Sequence, residues 1–159
     1  MVAAYRSAKK QDLPKIELII KKAYNPLTEF LSRKPGAIEN TSHKIEKAFQ
    51  SKNLFVILGE GNKVIGTISI KKINDNTMKL YHFAIEPKFQ NQGIGTSILK
   101  TLMKEIAISS PEIEKIELEI YEKIQKLTNF YTKLGFDKKG EKLIRGVRII
   151  ILYRNLKMS

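Results

Sequence analysis

Apolar positions along the chain follow two patterns, one with a period near 3.6 and one with a period of 2. Leu13, Ile16, Ile19, Ile20 and Ala23 make a helical stripe, opened by Asp12-Leu13-Pro14 and closed by Asn25-Pro26. Residues 26–40, with Pro26, Pro35 and Gly36, read as irregular. Thr41 or Ser42 caps a second helix to about Gln50, with Ile45, Ala48 and Phe49 inward. Ile94, Ile98, Leu99, Leu102, Met103 and Ile106 mark a third helix. Ile124, Leu127, Tyr131 and Leu134 mark a fourth, with Gly135 placed to end it. Short apolar or alternating runs predict strands at 2–8, 53–59, 63–73, 80–85 and 113–121, then from 136 and from 147.

The order of these elements carries the topology. Turn residues at 60–62 and 74–76 join three successive strands into an antiparallel meander. Gly66, inside the second of them, marks a bulge or a close backbone approach. A strand, helix and strand across 80–121 favour a parallel crossover. Arg145-Gly146 turns the last two strands into a hairpin. No repeat or linker interrupts the pattern, so residues 1–159 are expected to form a single domain.

Composition narrows the function classes. The chain has no cysteine, which removes disulfides, thiolate metal sites and a cysteine nucleophile. His43 and His82 are its only histidines, too few for a histidine-rich metal centre. No apolar run is long enough to span a membrane, and residues 1–13 lack the apolar core of a signal peptide, so the expected location is the cytoplasm. A formal charge of +13 attracts anions, but the lysines are scattered rather than run together. That scatter, without interleaved aromatic residues, argues against nucleic acid as a partner.

The chemistry concentrates at residues 79–106. A short aromatic strand ends at Ile85, Glu86-Pro87-Lys88-Phe89 breaks it, and Gln90-Asn91-Gln92-Gly93-Ile94-Gly95 opens a helix. The first amides of a helix lack intrahelical acceptors and sit at the positive end of its dipole. Glycine lets a ligand approach such backbone closely. The combination predicts an anion site for phosphate or pyrophosphate. It is not a Walker loop, because no Gly-Lys-Ser/Thr ending follows. Nor is it the dinucleotide fingerprint, since the third glycine position is Ile98.

These residues resemble the acetyl-CoA signature of the GNAT superfamily of N-acetyltransferases. Gln90, Gly93 and Gly95 fit its Gln/Arg-x-x-Gly-x-Gly/Ala pattern, after a strand ending in Ile85-x-Pro87. Tyr131-Thr132-Lys133-Leu134-Gly135-Phe136 resembles a second signature of the superfamily, and Arg6-Ser7-Ala8 its common opening. The resemblance covers essentially the whole chain. It implies an α/β (α+β mixed) fold, a twisted mixed sheet of about seven strands flanked by about four helices. It also implies acetyl-CoA as cosubstrate, no metal, and a primary amine as acceptor: a small molecule, a polyamine or a protein amino group. Phe83, Ala84 and Ile85 would face the pantetheine arm. Gln90, Asn91, Gln92, Gly93, Ile94, Gly95 and Thr96 would surround the pyrophosphate.

By the same resemblance, Tyr131 takes the place of the tyrosine that protonates the departing thiolate. A phenol is neutral near pH 7 and can donate. The base is less defined: His82 is chemically suited, and Glu119 on the neighbouring strand is a further candidate. Strand alternation places Tyr81 and His82 on opposite faces. Tyr24, Phe30, Arg33 and His43 fall where the superfamily builds its acceptor wall. Many members carry asparagine at the position of Ile124, which isoleucine cannot replace in bonding pantetheine. Two further readings stay open, a CoA-binding regulatory module without turnover and, from charge alone, a nucleic-acid-binding protein. The final strand could also support a homodimer.

Overall fold

The computed structural model describes residues 4–31, 35 and 39–157. Its strands are β1 (Ala4–Ser7), β2 (Leu54–Leu58), β3 (Val64–Asn74), β4 (Thr77–Ile85), β5 (Lys115–Tyr121), β6 (Asp137–Ile144) and β7 (Val147–Asn155). Its helices are α1 (Leu13–Tyr24), α2 (Leu27–Leu31), α3 (Thr41–Gln50), α4 (Ile94–Ser109) and α5 (Gln125–Lys133). The seven strands form one mixed sheet in the order β1-β2-β3-β4-β5-β7-β6. β4 and β5 are parallel, joined through α4, while β5–β7 and β6–β7 are antiparallel. The fold is the mixed α/β architecture expected from the alternation of patterns.

One element departs from expectation. The stretch after Pro26, read as irregular, contains the short helix α2. Leu27 and Leu31 lie four residues apart, a spacing too brief to show as a helical stripe.

The chain packs as two compact units, residues 1–70 with 82–100 and residues 71–81 with 101–159. The first is built on isoleucine. Ile16, Ile19 and Ile20 of α1 are fully buried, as are Val56, Ile57 and Ile68 of the sheet. Such β-branched side chains suit a pleated, buried surface. Gly66 answers the expectation of a close approach. A Cβ there would stand 2.8 Å from the Ala84 carbonyl oxygen. The β2–β3 register also slips beside it, with Ile57 opposite Gly66 but Leu58 opposite Val64.

In the same unit, Asp12 is buried beside Arg6, 2.8 Å away, and accepts the Lys9 amide at 2.7 Å. This ties β1 to the start of α1. The Arg6 hydrogen bond lowers the Asp12 pKa, outweighing the opposing effect of burial.

The second unit packs Leu102, Met103 and Ile106 of α4 with Ile116, Leu118 and Ile120 of β5 among its buried residues. Glu117 of β5 is also buried; its carboxylate lies 3.0 Å from Lys139. Gly135 closes α5 at φ +89°, the left-handed cap its position predicts.

Candidate active site

The loop between β4 and α4 is shaped by its own short-range bonds. Pro87–Phe89 form a single 3-10 turn, with the Phe89 amide donating to Glu86 and the Gln90 amide to Pro87. Gln90 then reaches back, its side chain donating to the Ile85 carbonyl at 2.8 Å. Asn91 and Gly93 both take left-handed backbone, at φ +62° and +78°. The chain thus turns twice before the helix. The first helical bond runs from Ser97 to the Gly93 carbonyl at 3.0 Å. The amides of Ile94, Gly95 and Thr96 precede it and have no acceptor within the helix. The first turn of α4 carries no acidic side chain. Open space surrounds the position a Cβ would take at Gly93. The arrangement presents amide donors and positive dipole potential to an incoming anion.

Side chains here divide by role. Ile85 and Ile94 are buried with Ile57, Ile65 and Ile98, and Phe83 and Phe89 pack against that cluster. Ala84 is also buried. Ile85, Ala84 and Ile94 can therefore serve a ligand through backbone atoms, while Asn91, Gln92 and Gly93 are exposed. The side-chain amide of Gln90 bonds inside the loop and sets its shape.

β4 is distorted in its middle. His82 adopts φ +50°, a left-handed conformation uncommon for a non-glycine residue inside a strand. Tyr81, His82 and Phe83 are all half-buried, between buried Leu80 and Ala84. Two side chains brace the distortion. Ser69, fully buried on β3, places its Oγ 3.4 Å from His82 Nδ1. Tyr24, at the end of α1, donates its hydroxyl to the Phe83 carbonyl at 2.7 Å.

The remaining candidates belong to the second unit. Tyr131 is buried on α5, edge-on to Phe130 and Phe136 at centroid distances of 4.9 and 5.5 Å. Ile124 stands at the helix start, just outside the helical turns. Glu119 on β5 lies 2.8 Å from Lys142 and 3.2 Å from Lys79. Burial pushes the Glu119 pKa up, but the two lysines outweigh it and the net shift is downward. As it stands, Glu119 is an ionised, cation-paired carboxylate and a weak proton acceptor.

Of the expected acceptor wall, Tyr24 is engaged with β4 and His43 is exposed on α3. Arg33 and the Phe30 side chain lie outside the described residues. No group of three or more His, Asp or Glu able to hold a metal occurs among the described residues. Ser69, Lys79 and Lys142 escaped sequence reading. Their partners come from strand register, which leaves no periodic signal along the chain.

Comparison with known proteins gives three findings. The family model described as acetyltransferase (GNAT) family matches residues 13–136. No curated protein sequence matches significantly. Among solved structures, the ribosomal-protein-S18-alanine N-acetyltransferase of Escherichia coli is similar with a TM-score of 0.76 at 18% identity, over 99% of this chain and 96% of that one. The spermidine N-acetyltransferase of Vibrio cholerae, solved with CoA and spermine, is similar with a TM-score of 0.74 at 16% identity, over 98% and 96%. At these identities the likeness is one of fold. No helix among the described residues is long and apolar enough to cross a membrane.

Proposed function

This chain belongs to the acetyltransferase (GNAT) family, and from that premise we propose that it transfers the acetyl group of acetyl-CoA to a primary amine by direct attack in a ternary complex. The observation that carries the reading is the double left-handed turn at Asn91 and Gly93, which aims the first amides of α4 outward with no acid beside them.

In this reading the amides of Ile94, Gly95 and Thr96 hold the pyrophosphate, and the backbone of Phe83, Ala84 and Ile85 pairs with the pantetheine arm. The neutral amine attacks the thioester carbonyl, a C–N bond forms, and the C–S bond breaks. The amine loses a proton and the thiolate gains one. Tyr131 supplies the proton to sulfur. His82 takes the amine proton or contacts the acceptor. Its half-buried place at the β4 distortion favours it over Glu119, whose two lysines hold its pKa down. The whole chain acts as one catalytic domain.

The solved relatives are named for a protein N-terminal alanine and for spermidine. A net charge of +13 repels a polyamine, so a protein amino group in an acidic setting is the preferred acceptor. Two observations favour a second reading, a CoA-binding regulatory module: Tyr131 is enclosed by two aromatic rings, and Glu119 is already neutralised.

The test is release of free CoA thiol from acetyl-CoA across a panel of amines and peptides. A chain without cysteine gives no background of its own. Tyr131→Phe should lower kcat by about a hundredfold with KM nearly unchanged, the usual scale for losing a general acid. Acetyl-CoA binding without amine-dependent release from any acceptor would move the assignment to the regulatory module.

A further inference from the structure

Glu86 is buried, yet its surroundings are cationic. Lys15 lies 3.6 Å from its carboxylate, and Lys22 and Lys88 each lie 3.7 Å away. These are ion-pair distances but too long for hydrogen bonds, and Oε2 of Glu86 has no hydrogen-bond partner at all. The three ammonium groups are drawn toward one buried charge while their N–H donors remain free for something else. A fourth lysine joins them. Lys63 and Lys88 both sit over the Phe89 ring, 5.5 and 5.4 Å from its centre.

The local balance is four cations to one anion. Among the described residues no other carboxylate lies within ion-pair distance of these four lysines. The charge of Lys88 nearby is the main reason the Lys63 pKa is lowered. Flexible lysines on an open surface would swing apart. Here the heads converge from three elements, α1, the 60–63 turn and the 87–89 turn, because Glu86 is fixed beneath them and Phe89 is fixed in the apolar cluster.

We propose that Lys15, Lys22, Lys63 and Lys88 form a phosphate-binding site, anchored by Glu86 and distinct from the amides of the glycine loop. A phosphate fits better than a single carboxylate. It brings up to two negative charges and three acceptor oxygens to donors that lack acceptors. The phosphate has two possible sources, the 3′-phosphate of CoA or a separate phosphorylated ligand. Only the first source rests on the acetyl-CoA reading.

The experiment is calorimetric titration of the full chain with inorganic tripolyphosphate. Lys63→Gln/Lys88→Gln should bind about tenfold more weakly than wild type, as expected for two exposed charge pairs. Lys52→Gln/Lys100→Gln, with the same change in net charge, should bind like wild type. Equal affinity in the two double variants, or no binding by wild type, overturns the proposal.

Titration with acetyl-CoA and its 3′-dephospho form separates the sources. If Lys63→Gln/Lys88→Gln weakens acetyl-CoA but not the dephospho form, the site takes the 3′-phosphate. If it weakens neither while tripolyphosphate binding falls, the ligand is a second molecule. Wild type that binds tripolyphosphate but not acetyl-CoA removes the proposed function and leaves this site standing.

Discussion

Gly66→Ala tests whether the β3–β4 contact is as tight as the structure draws it. The added Cβ would stand 2.8 Å from the Ala84 carbonyl oxygen, 3.1 Å from Ile57 Cδ1 and 3.3 Å from Ile57 Cβ. The first is a backbone atom and the others belong to a fully buried side chain, so neither neighbour can step aside freely. The strands must separate by a few tenths of an ångström, an overpacking cost of about 1–3 kcal/mol. For a chain of this size each kcal/mol moves Tm by about 2–4 °C, so a fall of roughly 4–8 °C is expected at the middle of that range.

The displaced atom lies in the stretch Phe83–Ile85 assigned to the pantetheine arm, so acetyl-CoA affinity should fall along with stability. Thermal and urea unfolding, paired with acetyl-CoA titration, read both effects. Gly140→Ala is the control, since nothing lies within 4 Å of a Cβ there. A Gly66→Ala protein within about 0.5 kcal/mol of wild type, the range of an ordinary surface change, would refute the packing argument.

Three further substitutions probe separate links. Asp12→Ala should cost about 1–2 kcal/mol by removing the acceptor of Arg6 and of the Lys9 amide, with the partial exposure of Arg6 keeping the loss modest. Because the folded pKa of Asp12 is lowered, its contribution is fully present above the unfolded value near 3.9. It disappears as pH falls through the folded value, so urea midpoints of variant and wild type should differ at pH 6 and converge in strong acid. Tyr24→Phe should lose about 1 kcal/mol of stability with the bond to Phe83, and unchanged unfolding would mean that bond contributes nothing. Gly93→Ala meets no atom, so its cost is the left-handed backbone alone, about 1–2 kcal/mol. Acetyl-CoA affinity should drop more than stability does, and equal affinity by titration would exclude the loop as the pyrophosphate site.

Much of the architecture could be read before any coordinates. The six apolar positions assigned to the glycine-loop helix, from Ile94 to Ile106, are all buried. Gly66 does mark a close approach, and Gly135 does close α5. These features are legible because each depends on neighbours a few residues away: a period, a cap, a turn. α2 was not, being too short to complete a stripe.

The site divides along the same line. Its glycine loop is local, and the motif at residues 90–95 announces it. The brace around it is not. Tyr24 reaches Phe83 across 59 positions of sequence, and Ser69 meets His82 only because β3 and β4 lie side by side. The left-handed backbone of His82 has no glycine to signal it. Glu119 reads as a possible base until strand register sets Lys79 and Lys142 against it, and Glu86 reads as a plain acidic residue until three lysines close over it. Sequence by itself determined which segments fold and in what order, because helix and strand periods and tight turns are short-range, and its short motifs at 90–95 and 131–136 carried the family resemblance. Tertiary structure alone decided which charges and hydroxyls meet. Those energies depend on distances of a few ångströms between residues far apart in the chain, and on how deeply each pair is removed from water.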